Sequence, residues 1–102
     1  MPAPLTARER SHLKARAHSL EPSVLVGHGG VTDGVAAEID RALKARELIK
    51  VKILAERDER DEIAALISTR TDSAIVQQVG KVVVLWRPKP DDTPMPTTGT
   101  GN

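Results

Sequence analysis

Two apolar, β-branched runs frame the first half of this chain, and what separates them leaves little choice of fold. Ser23–Val26 is short and uninterrupted, as buried strands are. Leu48–Ile53 alternates, with Ile49, Val51 and Ile53 on one face and Lys50 and Lys52 on the other. Between them Val35, Ile39, Ala42 and Arg46 share one helical face, with Leu43 beside it. Strand, helix and strand in succession need a crossover, and a crossover lays the two strands parallel.

The remaining segments extend this unit. Thr6-Ala7-Arg8-Glu9 is a capping box, which predicts a first helix over residues 7 to 18, with Leu13, Ala17 and Leu20 facing the core. Asp58 is placed to cap a third helix, with Glu59, Asp61 and Glu62 in its first turn and Ile63, Leu66 and Ile67 packing inward. Ile75-Val76 and Val82–Leu85 read as two more strands. Gly80-Lys81 between them suits a two-residue type II′ hairpin with glycine first. The predicted order is αβαβαββ: an α/β chain of the two-layer α+β kind with one mixed four-stranded sheet. Residues 1–87 are expected to form the domain, and 88–102, rich in proline, threonine and glycine, are expected to form a flexible tail with too little apolar surface to fold.

The first strand runs into Gly27-His28-Gly29-Gly30, and Thr32 then caps the second helix with Asp33 in its first turn. Strand, glycine loop and helix N-terminus together form a seat for phosphate. A dinucleotide fingerprint from Gly27 would need Gly or Ala at position 32, which is threonine. A P-loop from Gly29 would need Lys and Ser/Thr after Gly34, where Val35-Ala36 stand. What remains is a G-x-x-G loop, the device with which KH domains clamp a nucleic-acid backbone. Alone, it is equally compatible with an unliganded turn. Gly34, costly by about 1 kcal/mol in a helix, calls for a close neighbour or a close ligand.

Net charge is only +1, so the distribution of charge matters more than its total. Arg8, Arg10, Lys14 and Arg16 crowd the segment before Val24, whereas Glu56, Asp58, Glu59, Asp61 and Glu62 outnumber Arg57 and Arg60. Arg10, Lys14 and His18 form a row at i, i+4 and i+8 that flanks the first helix's apolar face. That row either meets an anion or is a solvated surface with snorkelling stems. Lys50 and Lys52 likewise either meet phosphate or face solvent on the side of the sheet opposite the helices. Trp86 is the only aromatic residue, so base stacking on several aromatic platforms is excluded.

Cysteine is absent, no apolar stretch approaches the roughly 20 residues that span a bilayer, and the N-terminus lacks a signal-peptide core. A cytoplasmic protein without membrane contact is expected. His12, His18 and His28 show no metal-ligand spacing, and no G-x-S-x-G is present, so neither an enzyme nor a cofactor is expected.

Taken in series, several stretches resemble the YhbY-like, or CRM (chloroplast RNA splicing and ribosome maturation), domain family. They are Leu13-Lys14 with Ala17-His18, Val26-Gly27-His28-Gly29-Gly30-Val31-Thr32 with Gly34, Glu47–Ile53, Val76-Gln77, Gly80-Lys81 and Leu85-Trp86-Arg87-Pro88. The resemblance covers residues 5 to 88, with Trp86 where the family often has tyrosine. It implies a fold similar to the C-terminal domain of translation initiation factor three, with strand order 1-2-4-3 and strand four antiparallel to the rest. It also implies RNA binding, and for stand-alone bacterial members a part in large-ribosomal-subunit assembly; plant organelle members carry the domain in group II intron splicing proteins. The family's loop maps onto Gly27–Gly30 and its basic first-helix positions onto Lys14 and His18.

The expected RNA-binding residues are therefore Gly27, His28, Gly29 and Gly30, then Lys14 and Arg10, then His18, Lys50 and Lys52. The expected partner is ribosomal RNA in a precursor of the large subunit, bound by a monomer. A protein-interaction module, docking its acidic third helix on a ribosomal protein or another assembly factor, is the alternative.

Overall fold

The alternation in Leu48–Ile53 decides how the molecule is layered. The structure, a computed structural model, describes residues 5–88. Its elements are α1 (Ala7–Ala17), β1 (Pro22–Val26), α2 (Asp33–Arg46), β2 (Leu48–Ile53), α3 (Arg57–Thr71), β3 (Ala74–Val79) and β4 (Val82–Trp86). One sheet holds all four strands in the order β1-β2-β4-β3. β1 and β2 are parallel, with Val24 beside Val51 and Val26 beside Ile53. β4 runs antiparallel to both of its neighbours. Both features follow the predicted topology. The predicted tail lies, beyond Pro88, outside the described residues.

The odd members of β2, Ile49, Val51 and Ile53, join Val24, Val26, Val83 and Leu85 in the larger core, covered by Ile39 and Leu43 of α2 and Ala64 and Ile67 of α3. The even members face the other way. There Leu48, Val84 and Val76 make a second, smaller apolar patch, and Leu13 and Ala17 of α1 close over it. Helices thus flank the sheet on both faces, one layer more than the two-layer reading. Lys50 and Lys52 share the face of α1 rather than a face without helices.

Local signals explain most boundaries. The Glu9 N–H donates to Thr6 Oγ1 (3.1 Å) and the Thr6 N–H to Glu9 Oε1 (2.9 Å), which completes the capping box. Thr32 caps α2 by accepting from the Val35 N–H (3.1 Å). The N-cap of α3 is Glu56, not Asp58, and its side chain makes no capping bond. Asp58 sits in the first turn instead, where the helix dipole still favours it. Leu66 is exposed, because the buried stripe of α3 runs through Ala64, Ile67 and Thr71 and leaves it at the margin. The β3–β4 turn has Gly80 at φ +56°, and Lys81 does not share that positive φ, as a type II′ turn requires. No helix among the described residues is long and apolar enough to cross a membrane.

Arg87, just past β4, ties the sheet to both outer helices. Its Nη1 donates to Asp40 Oδ1 (2.7 Å) and to the Thr71 carbonyl (2.7 Å), and its Nη2 to the Asp40 carbonyl (3.2 Å). Lys44 approaches the same carboxylate at 3.3 Å.

Candidate nucleic-acid interface

The glycine loop is a tight turn whose tip is open. The Gly30 N–H donates to the Gly27 carbonyl (3.1 Å), and Gly30 alone among the loop residues takes a positive φ, +77°. L-residues resist that conformation, so Gly30 is required by the turn itself. A Cβ built on Gly27 or Gly29 would meet nothing within 4 Å. Packing therefore does not demand glycine at those two positions, and the space above them is free for a ligand's backbone. The N–H groups of His28 and Gly29 have no partner among the described residues.

The helix end behind the loop is less available. Asp33 lies in the first turn of α2, and Arg70 Nη2 donates to its Oδ1 at 2.8 Å. A carboxylate already meets the positive end of the dipole, so the tip amides are the freer anion-facing groups. A Cβ on Gly34 would meet only Thr32 Oγ1, at 3.8 Å, so no packed neighbour explains this glycine. Gly34→Ala is expected to raise stability by about 0.5–1 kcal/mol in chemical denaturation, since the helix gains propensity at no steric cost. A loss of stability would reveal a tertiary constraint at this position.

The predicted cations divide by what surrounds them. Lys14 of α1, His18 at the C-cap of that helix and Lys50 of β2 line one cavity of about 360 Å³. Its inner surface is supplied by Ala17, Val82 and Val84, with Gln77 and Val79 from β3. Lys52 lies on the same face, one row nearer the loop. Cross-strand register sets that row as Leu25, Lys52, Val82 and Val79. Leu25 and Val79 are exposed there, beyond the cover of α1. The row begins two residues before Gly27, so it joins the α1 cavity to the loop.

Arg10 belongs to the same helical row but is engaged within the fold. Its Nη1 donates to the Ile75 carbonyl (2.8 Å) and the Val76 carbonyl (2.7 Å). It fixes α1 against β3 and thereby sets where Lys14 and His18 stand.

Two cations were not singled out in the sequence. Lys81 and Arg60 line a second cavity, of about 340 Å³, together with His28 and with Glu56 and Glu59. The Ile53 N–H donates to the Lys81 carbonyl (2.7 Å), which draws the β3–β4 turn alongside the end of β2. Arg60 Nε is buried there without a partner. The signal for Lys81 was its place in the Gly80-Lys81 pair, where the turn geometry accounted for it fully. The two glutamates make this cavity electrostatically mixed, whereas the residues lining the α1 cavity include no acid. Among the described residues no group of three or more His, Asp or Glu is arranged to hold a metal.

The chain is similar to known proteins over nearly all of its described residues. Residues 5–87 match the family model described as the CRS1 / YhbY (CRM) domain. A probable RNA-binding protein of Pseudomonas aeruginosa is 41% identical over 90 residues, covering 85% of this chain and 86% of its own. An RNA-binding protein of Haemophilus influenzae is 44% identical over 85 residues, covering 82% and 86%. The solution structure of a hypothetical protein from Staphylococcus aureus, described as a candidate RNA-binding protein, superposes with a TM-score of 0.77 at 33% identity, over 88% of this chain and 95% of that one.

Proposed function

The chain belongs to the CRS1 / YhbY (CRM) domain family, and from that premise we propose that it binds RNA through the face shared by α1 and the Gly27–Gly30 loop. The observation that carries this reading is the continuous run of groups on one face. Lys14, His18 and Lys50 surround one cavity, Lys52 occupies the next row, and that row leads to the unpartnered amides of His28 and Gly29. The lysines neutralise phosphates, while the open loop lets a sugar-phosphate backbone come within hydrogen-bonding distance of the main chain. Arg10 acts by positioning α1. Ribosomal RNA in a precursor of the large subunit is the proposed target, in the cytoplasm, as the resemblance to stand-alone bacterial members implies.

Binding to fragments of large-subunit ribosomal RNA at increasing salt tests the reading. With about three to five phosphates neutralised, log K is expected to fall against log salt with a slope of roughly −2 to −5. A flat dependence would favour the second reading, a protein-docking module. That reading is supported by the exposed Asp58, Glu59, Asp61 and Glu62 of α3, on the opposite side of the sheet from α1, with exposed Leu66 on the same helix.

A further inference from the structure

The α1 cavity contains more than a phosphate site needs. Lysines over a polar surface are sufficient for a backbone anion, yet here the floor is aliphatic, formed by Ala17, Val82 and Val84, and one wall is an amide, Gln77. That amide is half-buried and has no hydrogen-bond partner among the described residues. Its neighbour Gln78 differs, because its Nε2 donates to Asp61 Oδ1 (3.0 Å) on the α3 side.

A β-bulge is responsible for this difference. Ile75 pairs with Leu85, and an unbroken ladder would then set Gln77 opposite Val83, on the face covered by α2 and α3. The register shifts between Ile75 and Gln77, so Gln77 pairs with Val84 and turns to the α1 face, while Gln78 takes the place opposite Val83. Bulges re-aim side chains in this way, and they are enriched at functional sites. The carbonyls of Ile75 and Val76, at the bulge, are the two that Arg10 Nη1 holds. Arg10 thus stabilises the distortion that points an unpartnered amide over an apolar floor.

Resting on the RNA-binding reading above, we infer that this cavity is a pocket for a single unstacked nucleobase of the bound RNA, with its edge read by Gln77. A base presents two apolar faces and a polar edge that carries donors and acceptors. The methyl groups of Ala17, Val82 and Val84 cover one face, the amide of Gln77 offers one donor and one acceptor to the edge, and Lys14 and Lys50 hold the adjoining phosphates. A volume of about 360 Å³ holds one ring system with its sugar and is too small for a partner's helix. The imidazole of His18 at the rim provides a stacking surface in a chain that has only one aromatic residue of the Phe, Trp and Tyr class.

The test compares ten-residue oligomers of adenylate, cytidylate and uridylate with an abasic ribose-phosphate oligomer of equal length, using the full chain. Wild-type protein should distinguish the best base from the worst by at least fivefold and should bind the abasic oligomer more weakly than the best. Gln77→Leu keeps the size of the side chain and removes the amide. It should reduce the base preference to less than twofold with an unchanged salt slope, its fold checked by circular dichroism. Nuclear Overhauser contacts between base protons and the methyls of Val82 and Val84 in the wild-type complex supply a readout that needs no variant. If the abasic oligomer binds as tightly as the best base with the salt slope intact, or if Gln77→Leu keeps the preference, RNA binding stands and the base pocket is refuted. If no oligomer and no ribosomal fragment binds at low salt, both readings fall together.

Discussion

Replacing His28 and Gly29 together with aspartate is expected to lower RNA affinity at least tenfold, about 1.4 kcal/mol, while the domain stays folded. The fold tolerates the change. Both residues are exposed, Gly29 does not take a positive φ, and a Cβ there meets nothing within 4 Å. Gly30, the position that does need glycine, is untouched. The new carboxylates sit near the N-terminus of α2, which favours negative charge, and near Glu56 and Glu59, which oppose it, so the net effect on stability is small. Binding suffers because each carboxylate repels phosphate and competes for the tip amides. Affinity, circular dichroism and melting measured on one sample separate lost recognition from unfolding. A folded double variant that binds like its parent would make the loop only a turn and move the RNA surface to Lys14, Lys50 and Lys52.

Arg87→Ala is expected to cost about 2–3 kcal/mol of folding stability, the range for hydrogen bonds to a charged donor that leave half-buried acceptors behind. For a domain of this size that corresponds to a fall in Tm on the order of 10 °C. Arg87 joins α2, the end of α3 and the end of β4, and its side chain is only 17% exposed. Arg87→Lys should recover part of the loss, because an ammonium cannot reproduce the planar fork that serves several acceptors. The pair also has a pH signature. The hydrogen bond from Arg87, aided by Lys44 and opposed by desolvation, holds the Asp40 carboxyl below its ordinary value of 3.8. A carboxylate with a depressed folded pKa contributes stability above its unfolded pKa and loses it as pH falls through the folded one. The stability gap between wild type and Asp40→Asn should therefore be constant near neutral pH and close below about pH 4. Asp40 is 39% exposed and screened by solvent, so that gap should stay under about 1 kcal/mol. An Arg87→Ala protein as stable as wild type would show that helix packing alone holds the end of β4.

The loop and Arg87 differ in how far the chain alone reveals them. The loop was legible in the chain, since Gly27–Gly30 stands between an apolar run and a helix cap whatever else the fold does. Arg87 was legible only as part of a matching stretch. Its partners Asp40 and Thr71 are distant in sequence, and no local pattern connects them. Lys14, His18, Lys50 and Lys52 were found as charges beside apolar faces, and the structure gathers the first three around one cavity. Arg10 belongs to the same pattern and is instead bound to main-chain carbonyls, because a basic row looks the same in sequence whether its partner is solvent, phosphate or a strand.

The sequence by itself determined the element order, the caps at Thr6 and Thr32, the hairpin at Gly80-Lys81, the parallel pairing of the first two strands and the position of the open loop. These are matters of local propensity, period and crossover length, all of which act within a few residues or one β-α-β unit. Tertiary structure decided the rest. α1 precedes β1 and lies in no β-α-β crossover that would confine it, so only the packing of Leu13 and Ala17 on Leu48, Val76 and Val84 places α1 opposite α2 and α3. A bulge shifts register by one residue and leaves no mark in composition, so only the pairing of β3 with β4 could turn Gln77 toward α1. Periodicity states which residues share a face; which face they meet across the sheet is settled by contacts between residues far apart in the chain.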